Sequence, residues 1–182
     1  MKPPLPFPLA LNIGTDIVHL PRITRLISRR GGYLSRFTRR ILTESEQADF
    51  RARFAVPKPQ SLPSPPSPGL RTAKNANPEG QEVRITPDMA RYLAGRFAAK
   101  EAARKAARGG ASALGWKDVI VRVGRGKGMI GGQGKRRDES EGAEGRPEIV
   151  FLDRDGDAPG RLGRLSISHD GEYVIAVVMA AG

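Results

Sequence analysis

One predicted helix carries a carboxylate and an amine at positions where its pattern favours apolar residues. The apolar positions recur at i, i+4 and i+8, the spacing of one helix face, and are Met89, Leu93 and Phe97. Glu101 and Lys105 occupy the next two positions on that face. Because an unpaired buried charge is costly, each group needs a partner or a ligand. Either the two form a local i,i+4 ion pair, or they take part in chemistry.

A second carboxylate lies in a predicted strand. Asp16 falls inside the β-rich run at 9–18, although acidic residues are depleted in strands. Gly14, two residues earlier, permits the close approach of another backbone. If Asp16 and Glu101 converge, their carboxylates suit a Mg²⁺ ion that also binds phosphate oxygens and water. The alternative is that Asp16 ends the strand or caps the following turn.

The elements that must position these residues predict an α+β fold, because strands and helices do not alternate strictly. Strands are predicted at 9–18, 119–123, 148–152, 165–168 and 173–180, and helices at about 21–30, 43–54 and 87–107. The segment at 33–42 is predicted to be a helix or a turn. Thr43 and Glu46 have capping-box spacing, and Thr86 precedes a proline at the start of the long helix. The sequence at 169–171 is expected to form the turn of the last hairpin.

Length and composition favour one domain over 1–182 with two flexible insertions. Seven of the 15 prolines fall in 56–80, and eight glycines fall in 124–145. The absence of cysteine excludes disulfides, thiol catalysis and Cys-ligated metals. No apolar run reaches the ~18–20 residues of a transmembrane helix.

The chain is strongly basic, which indicates an anionic partner. Its formal charge is +12, from 31 Lys and Arg residues against 19 acidic ones. Arg22, Arg25 and Arg29 follow i, i+3, i+7 spacing on one predicted helix face, opposite an apolar face. This basic face is either merely solvated or a docking surface for an acidic partner.

Three sequence blocks, considered together, resemble the holo-acyl carrier protein synthase family, the small trimeric 4′-phosphopantetheinyl transferases. The blocks are GTDIV within 12–23, FAAKEAARK within 93–105 and SISHD within 165–173. They occur in the family's order, and the resemblance spans roughly 11–54, 82–123 and 145–180. One departure is His19, at a position where many members carry Glu.

The resemblance implies the transfer of 4′-phosphopantetheine from coenzyme A to a serine of an apo-acyl carrier protein, with Mg²⁺ as cofactor and 3′,5′-ADP as product. Asp16 and Glu101 match the metal ligands, and Glu101 and Lys105 match the catalytic residues. The positions that match coenzyme A contacts are Arg96, Lys100, Ser168 and His169. The positions that match the carrier-docking helix are Arg22, Arg25 and Arg29. A homotrimer is implied, with neither nucleic acid nor membrane as a partner.

The alternative function is a basic RNA-binding module without catalytic activity. It accounts for the charge, but it does not account for an acid and a lysine on an apolar helix stripe, and aromatic stacking residues are few. The location is predicted to be cytoplasmic or mitochondrial, with the mitochondrion favoured if the source is fungal. Residues 1–10 lack the Arg-rich amphipathic pattern of a mitochondrial presequence.

Overall fold

The structure, a computed structural model, describes residues 9–57, 83–123, 146–153 and 159–182. It contains one antiparallel five-stranded sheet and four helices, which confirms the α+β prediction. The strands are β1 (Leu11–His19), β2 (Val119–Val123), β3 (Pro147–Phe151), β4 (Arg161–Asp170) and β5 (Tyr173–Ala181). The helices are α1 (Leu20–Ile27), α2 (Tyr33–Ile41), α3 (Glu44–Phe54) and α4 (Pro87–Ala106). Apart from Val56 and Pro57, the two predicted insertions lie outside the described residues.

The long helix α4 packs on β1 and β5, at one edge of a sheet with the order β1-β5-β4-β3-β2. Alternate residues of β5 are buried, as expected for a strand with one face on a core. The facing stripe of α4 consists of fully buried alanines: Ala98, Ala99, Ala102, Ala103 and Ala106. Small side chains allow the helix to lie close to the sheet, so residues on β1 and α4 come within bonding distance.

Gly14 marks the closest approach between β1 and α4. A Cβ atom at this position would lie 2.0 Å from the carbonyl oxygen of Ala102 and 2.6 Å from the backbone nitrogen of Ala106. Backbone atoms cannot move away as a flexible side chain can, so only glycine fits. The predicted close approach is therefore confirmed, and it places this part of β1 beside the last turns of the helix.

Local capping signals predicted the helix starts correctly. Thr43 and Glu46 form both halves of the capping box at the start of α3. Thr86 accepts a hydrogen bond from the backbone N–H of Met89 at the start of α4. Gly31, with φ of 85°, separates α1 from α2 in a conformation that glycine adopts readily.

Two of the differences from the predicted element boundaries affect candidate site residues. Helix α1 ends at Ile27 with Ser28 as its C-cap, so Arg29 lies beyond the helix rather than on its basic face. The last hairpin turns at 171–172, so His169 belongs to β4 instead of the turn. Among the described helices, none is both long and apolar enough to span a bilayer.

Candidate functional site

The packing of α4 on β1 joins Asp16 to Lys105. The Lys105 ammonium donates hydrogen bonds to Oδ1 of Asp16 and to the backbone carbonyl of Thr15, both at 2.8 Å. Asp16 is only 16% exposed, whereas the Lys105 side chain is 46% exposed. The ion pair thus has one shielded partner and one that reaches solvent. The i,i+4 pair between Glu101 and Lys105 that the helix spacing allowed is not formed, because each residue has another partner.

Glu101 pairs with Arg104 on the same helix. Nη1 of Arg104 donates to Oε1 of Glu101 at 2.7 Å, and both side chains are about four-fifths buried, at 21% and 20% exposed. Glu101 precedes Lys105 by about one helical turn. Asp16, on β1, is the carboxylate that bonds the Lys105 amine, and Glu101 lies on α4 in the turn before that lysine.

The donor atoms at this place fit Mg²⁺. Within the described ranges, Oδ2 of Asp16 and Oε2 of Glu101 accept no hydrogen bond, so each carboxylate offers one oxygen. The described residues contain no group of three or more His, Asp or Glu side chains that could hold a metal alone. Protein-bound Mg²⁺ commonly uses one or two carboxylates, with substrate phosphates and water completing its octahedron. Two carboxylate oxygens suit that arrangement.

Lys100 does not lie where the resemblance implied. Its side chain has no exposed surface, and its ammonium donates to Oε2 of Glu46 at 2.6 Å and to the carbonyl of Trp116 at 3.0 Å. Burial lowers the pKa of Lys100, and the neighbouring Glu46 carboxylate opposes that shift. The contact between Lys100 and coenzyme A stays a prediction, and in this structure the ammonium is turned into the core. Adjacent helix residues are ~100° apart, so Lys100 and Glu101 face different neighbours.

Glu46 joins α3, α4 and β2 through one buried carboxylate. Besides Lys100, it accepts hydrogen bonds from the backbone N–H groups of Thr43 at 2.9 Å and Val121 at 3.0 Å. Arg96 lies 3.6 Å from its other oxygen and donates to the carbonyl of Val121. Arg96, a second expected coenzyme A contact, is thus mostly engaged in this network, with its side chain 13% exposed.

The other two expected coenzyme A contacts lie near the end of β4 and are exposed. His169 pairs with Val174 of β5, which in turn pairs with Val18 of β1. Since neighbouring strands are ~4.8 Å apart, the backbone of His169 is about 10 Å from β1. Ser168 is on the opposite face of the sheet, because successive strand side chains alternate. Of these two residues of β4, His169 lies on the α4 side of the sheet, as Asp16 does, and Ser168 does not.

The basic face on α1 is exposed but shorter than expected. Arg22 and Arg25 both face solvent, while Ile23 and Ile27 are buried against the core. Arg29 is exposed as well, and its guanidinium lies over the ring of Tyr33 at 5.7 Å, outside the helix. The face therefore presents two helical cations and a third beyond the C-cap.

Sequence reasoning missed two of the residues that shape this site. Arg104 stands three positions after Glu101, a spacing that allows a helix-surface pair, but the basic helix end offered several candidates. Glu46 was recognised only as a capping residue. No local pattern revealed that its carboxylate also reaches Lys100, 54 positions away.

Comparison with known proteins identifies the family of this chain. The family model of the 4′-phosphopantetheinyl transferase superfamily matches residues 12–178, a range that includes Asp16, Glu101 and Lys105. The chain belongs to this superfamily. The resemblance noted from the three sequence blocks is thereby confirmed.

Individual relatives agree with the family assignment. The chain is 58% identical over 181 residues to the mitochondrial 4′-phosphopantetheinyl transferase B of Aspergillus fumigatus, with 98% of each chain covered. It is 31% identical over 175 residues to a holo-[acyl-carrier-protein] synthase of Gloeobacter violaceus, covering 93% of this chain and 92% of that protein. A crystal structure of the Neisseria meningitidis holo-[acyl-carrier-protein] synthase superposes with a TM-score of 0.51 at 27% identity, covering 94% and 98% of the two chains. The expectation that the chain is an enzyme of this family is confirmed.

Proposed function

We propose that this enzyme transfers 4′-phosphopantetheine from coenzyme A to a serine of an apo-acyl carrier protein, releases 3′,5′-ADP and requires Mg²⁺. The observation that carries the proposal is the ion pair between Asp16 of β1 and Lys105 of α4, one helical turn after Glu101. Two carboxylates beside an amine suit a pyrophosphate substrate, because phosphoryl transfer depends on positioning and charge stabilisation. Membership of the superfamily supports the same reaction.

Each residue of the site is assigned a role in the reaction that fits its position. Asp16 and Glu101 would hold Mg²⁺, which neutralises pyrophosphate charge when it is bound. The hydroxyl oxygen of the carrier serine forms a bond to the β-phosphorus of coenzyme A. Its proton is accepted by Glu101 or by a water that Glu101 orients. The bond from that phosphorus to the bridging oxygen breaks, and 3′,5′-ADP leaves. Lys105 places a positive charge beside the leaving phosphate, while His169 and Ser168 contact coenzyme A from the end of β4.

The function is tested by incubating the protein with coenzyme A, Mg²⁺ and an apo-acyl carrier protein. Mass spectrometry is expected to show that the carrier gains one phosphopantetheine group, with release of an equal amount of 3′,5′-ADP. A carrier whose serine is replaced by alanine serves as the control and should gain nothing. Salt-sensitive RNA binding without any such transfer would favour the RNA-binding module instead.

The exposed arginines of α1 are proposed to dock the acidic carrier. The double variant Arg22→Glu with Arg25→Glu is expected to raise KM for the carrier about tenfold, since each reversal replaces an attraction of ~0.3–0.5 kcal/mol by a similar repulsion. KM for coenzyme A should stay nearly unchanged. The effect should shrink with salt, because the Debye length is only ~8 Å at 0.15 M ionic strength.

A matched control is the double variant Arg84→Glu with Arg91→Glu, which changes the net charge equally at exposed positions outside α1. Steady-state kinetics with each substrate varied in turn, at two salt concentrations, compare the two variants. Equal increases in the carrier KM in both would show that net charge acts without a specific docking face.

A homotrimer is proposed from the family resemblance, and the outer face of the sheet supports self-association. Large apolar side chains cover this face: Leu11, Ile13, Ile17, Leu162, Tyr173, Ile175, Val177 and Met179. Ile13 and Ile17 are 63% and 61% exposed, and Ile17 pairs directly with Ile175 across β1 and β5. A contiguous exposed apolar face of this kind is typical of a protein interface.

Charge placed on this face should dissociate the oligomer. Light scattering of the purified protein is expected to give the mass of three chains, and Ile175→Glu should shift it towards one, because an unpaired buried carboxylate is costly. Ser112→Glu, at an exposed position in the segment after α4, adds the same charge as a control. A wild-type protein that is monomeric at micromolar concentration would contradict the proposal.

We propose a mitochondrial location and a role in fatty-acid biosynthesis. The support is the 58% identity to the mitochondrial transferase of Aspergillus fumigatus over nearly the whole chain. Fractionation of cells that carry an epitope on the C-terminus of the full chain tests the location. Recovery of the tagged protein only in the cytosol would contradict it.

A further inference from the structure

The guanidinium of Arg104 makes three contacts in addition to its ion pair with Glu101. Its Nε atom donates to the carbonyl of Leu114 and its Nη2 atom donates to the carbonyl of Ala111, each at 2.8 Å. The guanidinium also lies over the ring of Trp116, with Cζ 5.2 Å from the ring centroid. These three contacts hold the guanidinium to the segment that follows α4, independently of Glu101.

The fixed guanidinium dictates how the Glu101 carboxylate is oriented. Nη1, the remaining nitrogen of the planar group, donates to Oε1 at 2.7 Å. Since Arg104 is tethered elsewhere, the carboxylate must turn to meet it. Within the described ranges, Oε2 accepts no hydrogen bond, so Glu101 has a single oxygen available to a ligand.

We propose that Arg104 is a positioning residue that restricts Glu101 to one ligating oxygen and thereby makes the metal site prefer Mg²⁺ over Ca²⁺. Mg²⁺ demands a near-ideal octahedron of short bonds, which a one-oxygen carboxylate satisfies. Ca²⁺ accepts six to eight oxygens and commonly takes both oxygens of a carboxylate. The inference rests on the proposed function, because it requires a divalent cation at Glu101.

Charge and geometry can be separated at this position. Removal of a nearby positive charge favours binding of both divalent ions by a similar amount, because both carry the same charge. The ratio of the two affinities therefore reports the geometry of the carboxylate. Arg104→Lys keeps the positive charge but lacks the planar guanidinium, the rigid fork that bonds both loop carbonyls and Glu101 at once. Arg104→Met removes both the charge and the fork.

The controls are Arg91→Lys and Arg91→Met, on the same helix. Arg91 makes the same kind of i,i+3 pair, with Asp88 at 2.9 Å, but at the exposed N-terminal end of α4. Binding is measured by electron paramagnetic resonance of Mn²⁺, displaced by Mg²⁺ or by Ca²⁺. Coenzyme A is present and the carrier protein is omitted, so that no turnover occurs. A titration without protein corrects for metal bound to coenzyme A.

In Arg104→Lys, Kd for Mg²⁺ is expected to rise about tenfold, the usual scale for losing a partner that orients a metal ligand, while Kd for Ca²⁺ should change less than about twofold. In Arg104→Met the same tenfold change in the ratio of the two Kd values is expected, with both values lowered by a similar factor through the loss of charge. Both Arg91 controls should match the wild type. If Arg104→Met does not fold, Arg104→Lys alone decides the outcome. Emission from Trp116, the single tryptophan of the chain, reports whether the segment after α4 is retained.

Three results would overturn the inference, and only one of them would also overturn the proposed Mg²⁺ site. An unchanged ratio in the Arg104 variants, with normal Mg²⁺ binding by the wild type, removes only the role of Arg104. A ratio changed in Arg104→Met but not in Arg104→Lys shows that a single donor at this position suffices, and it removes the role of the rigid fork. A wild-type protein that binds none of the three metals overturns the Mg²⁺ site of the proposed function as well.

Discussion

Replacing Asp16 with Asn or Glu101 with Gln is expected to lower kcat/KM by at least about 100-fold, the scale at which loss of a key electrostatic group is felt. An amide is nearly the same size as a carboxylate but carries no charge, so it binds Mg²⁺ weakly and accepts no proton from serine. The amide in each variant would keep an oxygen for Lys105 or Arg104, so the fold should survive. Steady-state kinetics at saturating Mg²⁺ and thermal unfolding measure the two properties.

Asp88→Asn is the matched control for these variants. Asp88 is an exposed acid on the same helix, and it pairs with Arg91 away from the site. Its activity should remain close to that of the wild type. Activity within about threefold of the wild type in either site variant would refute the assignment of that carboxylate.

Glu46→Ala is expected to reduce the free energy of unfolding by about 3–5 kcal/mol, because it leaves a buried charge without its partner. The Lys100 ammonium, with no exposed surface, would lose its carboxylate. The backbone N–H of Val121 would also lose its acceptor. Urea unfolding followed by circular dichroism measures the loss.

Glu44→Ala tests whether the location of the carboxylate matters. Glu44 lies in the first turn of the same helix but is exposed, so its removal should cost less than about 1 kcal/mol through the helix dipole. Glu46→Gln keeps the shape and removes the charge, and we expect an intermediate loss. Similar losses for Glu44→Ala and Glu46→Ala would show that negative charge at the helix N-terminus, rather than the buried pair, explains the effect.

Much of the secondary structure was determined by the sequence, because its signals act over three or four residues. The capping box at Thr43 and the N-cap at Thr86 each satisfy backbone N–H groups in their own helix turn. Gly31 and Gly32 adopt positive φ between α1 and α2, and Gly32 is the N-cap of α2. Hydrophobic periodicity placed Glu101 and Lys105 on one helix face by the same short-range logic.

The prediction of the site left open the directions in which its side chains point, because local spacing does not determine them. Lys100 is adjacent to Glu101, yet the helical turn of ~100° between them sends one ammonium into the core. Ser168 and His169 are adjacent on β4, and the pleat places them on opposite faces. The family blocks indicated which residues belong near one another, but not which way each side chain faces.

The partners of the charged groups were decided only by the tertiary structure. Lys105 meets Asp16 across 89 positions, because Gly14 lets β1 lie against the alanine face of α4. Lys100, on another side of the same helix, meets Glu46 of α3 across 54 positions. A buried charged group pairs with the group of opposite charge that the packing of the elements brings within bonding distance. The partner therefore depends on strand register and on the rotation of each helix. The sequence by itself determined which residues could do the chemistry, and the packing of one helix on one strand determined how they are paired.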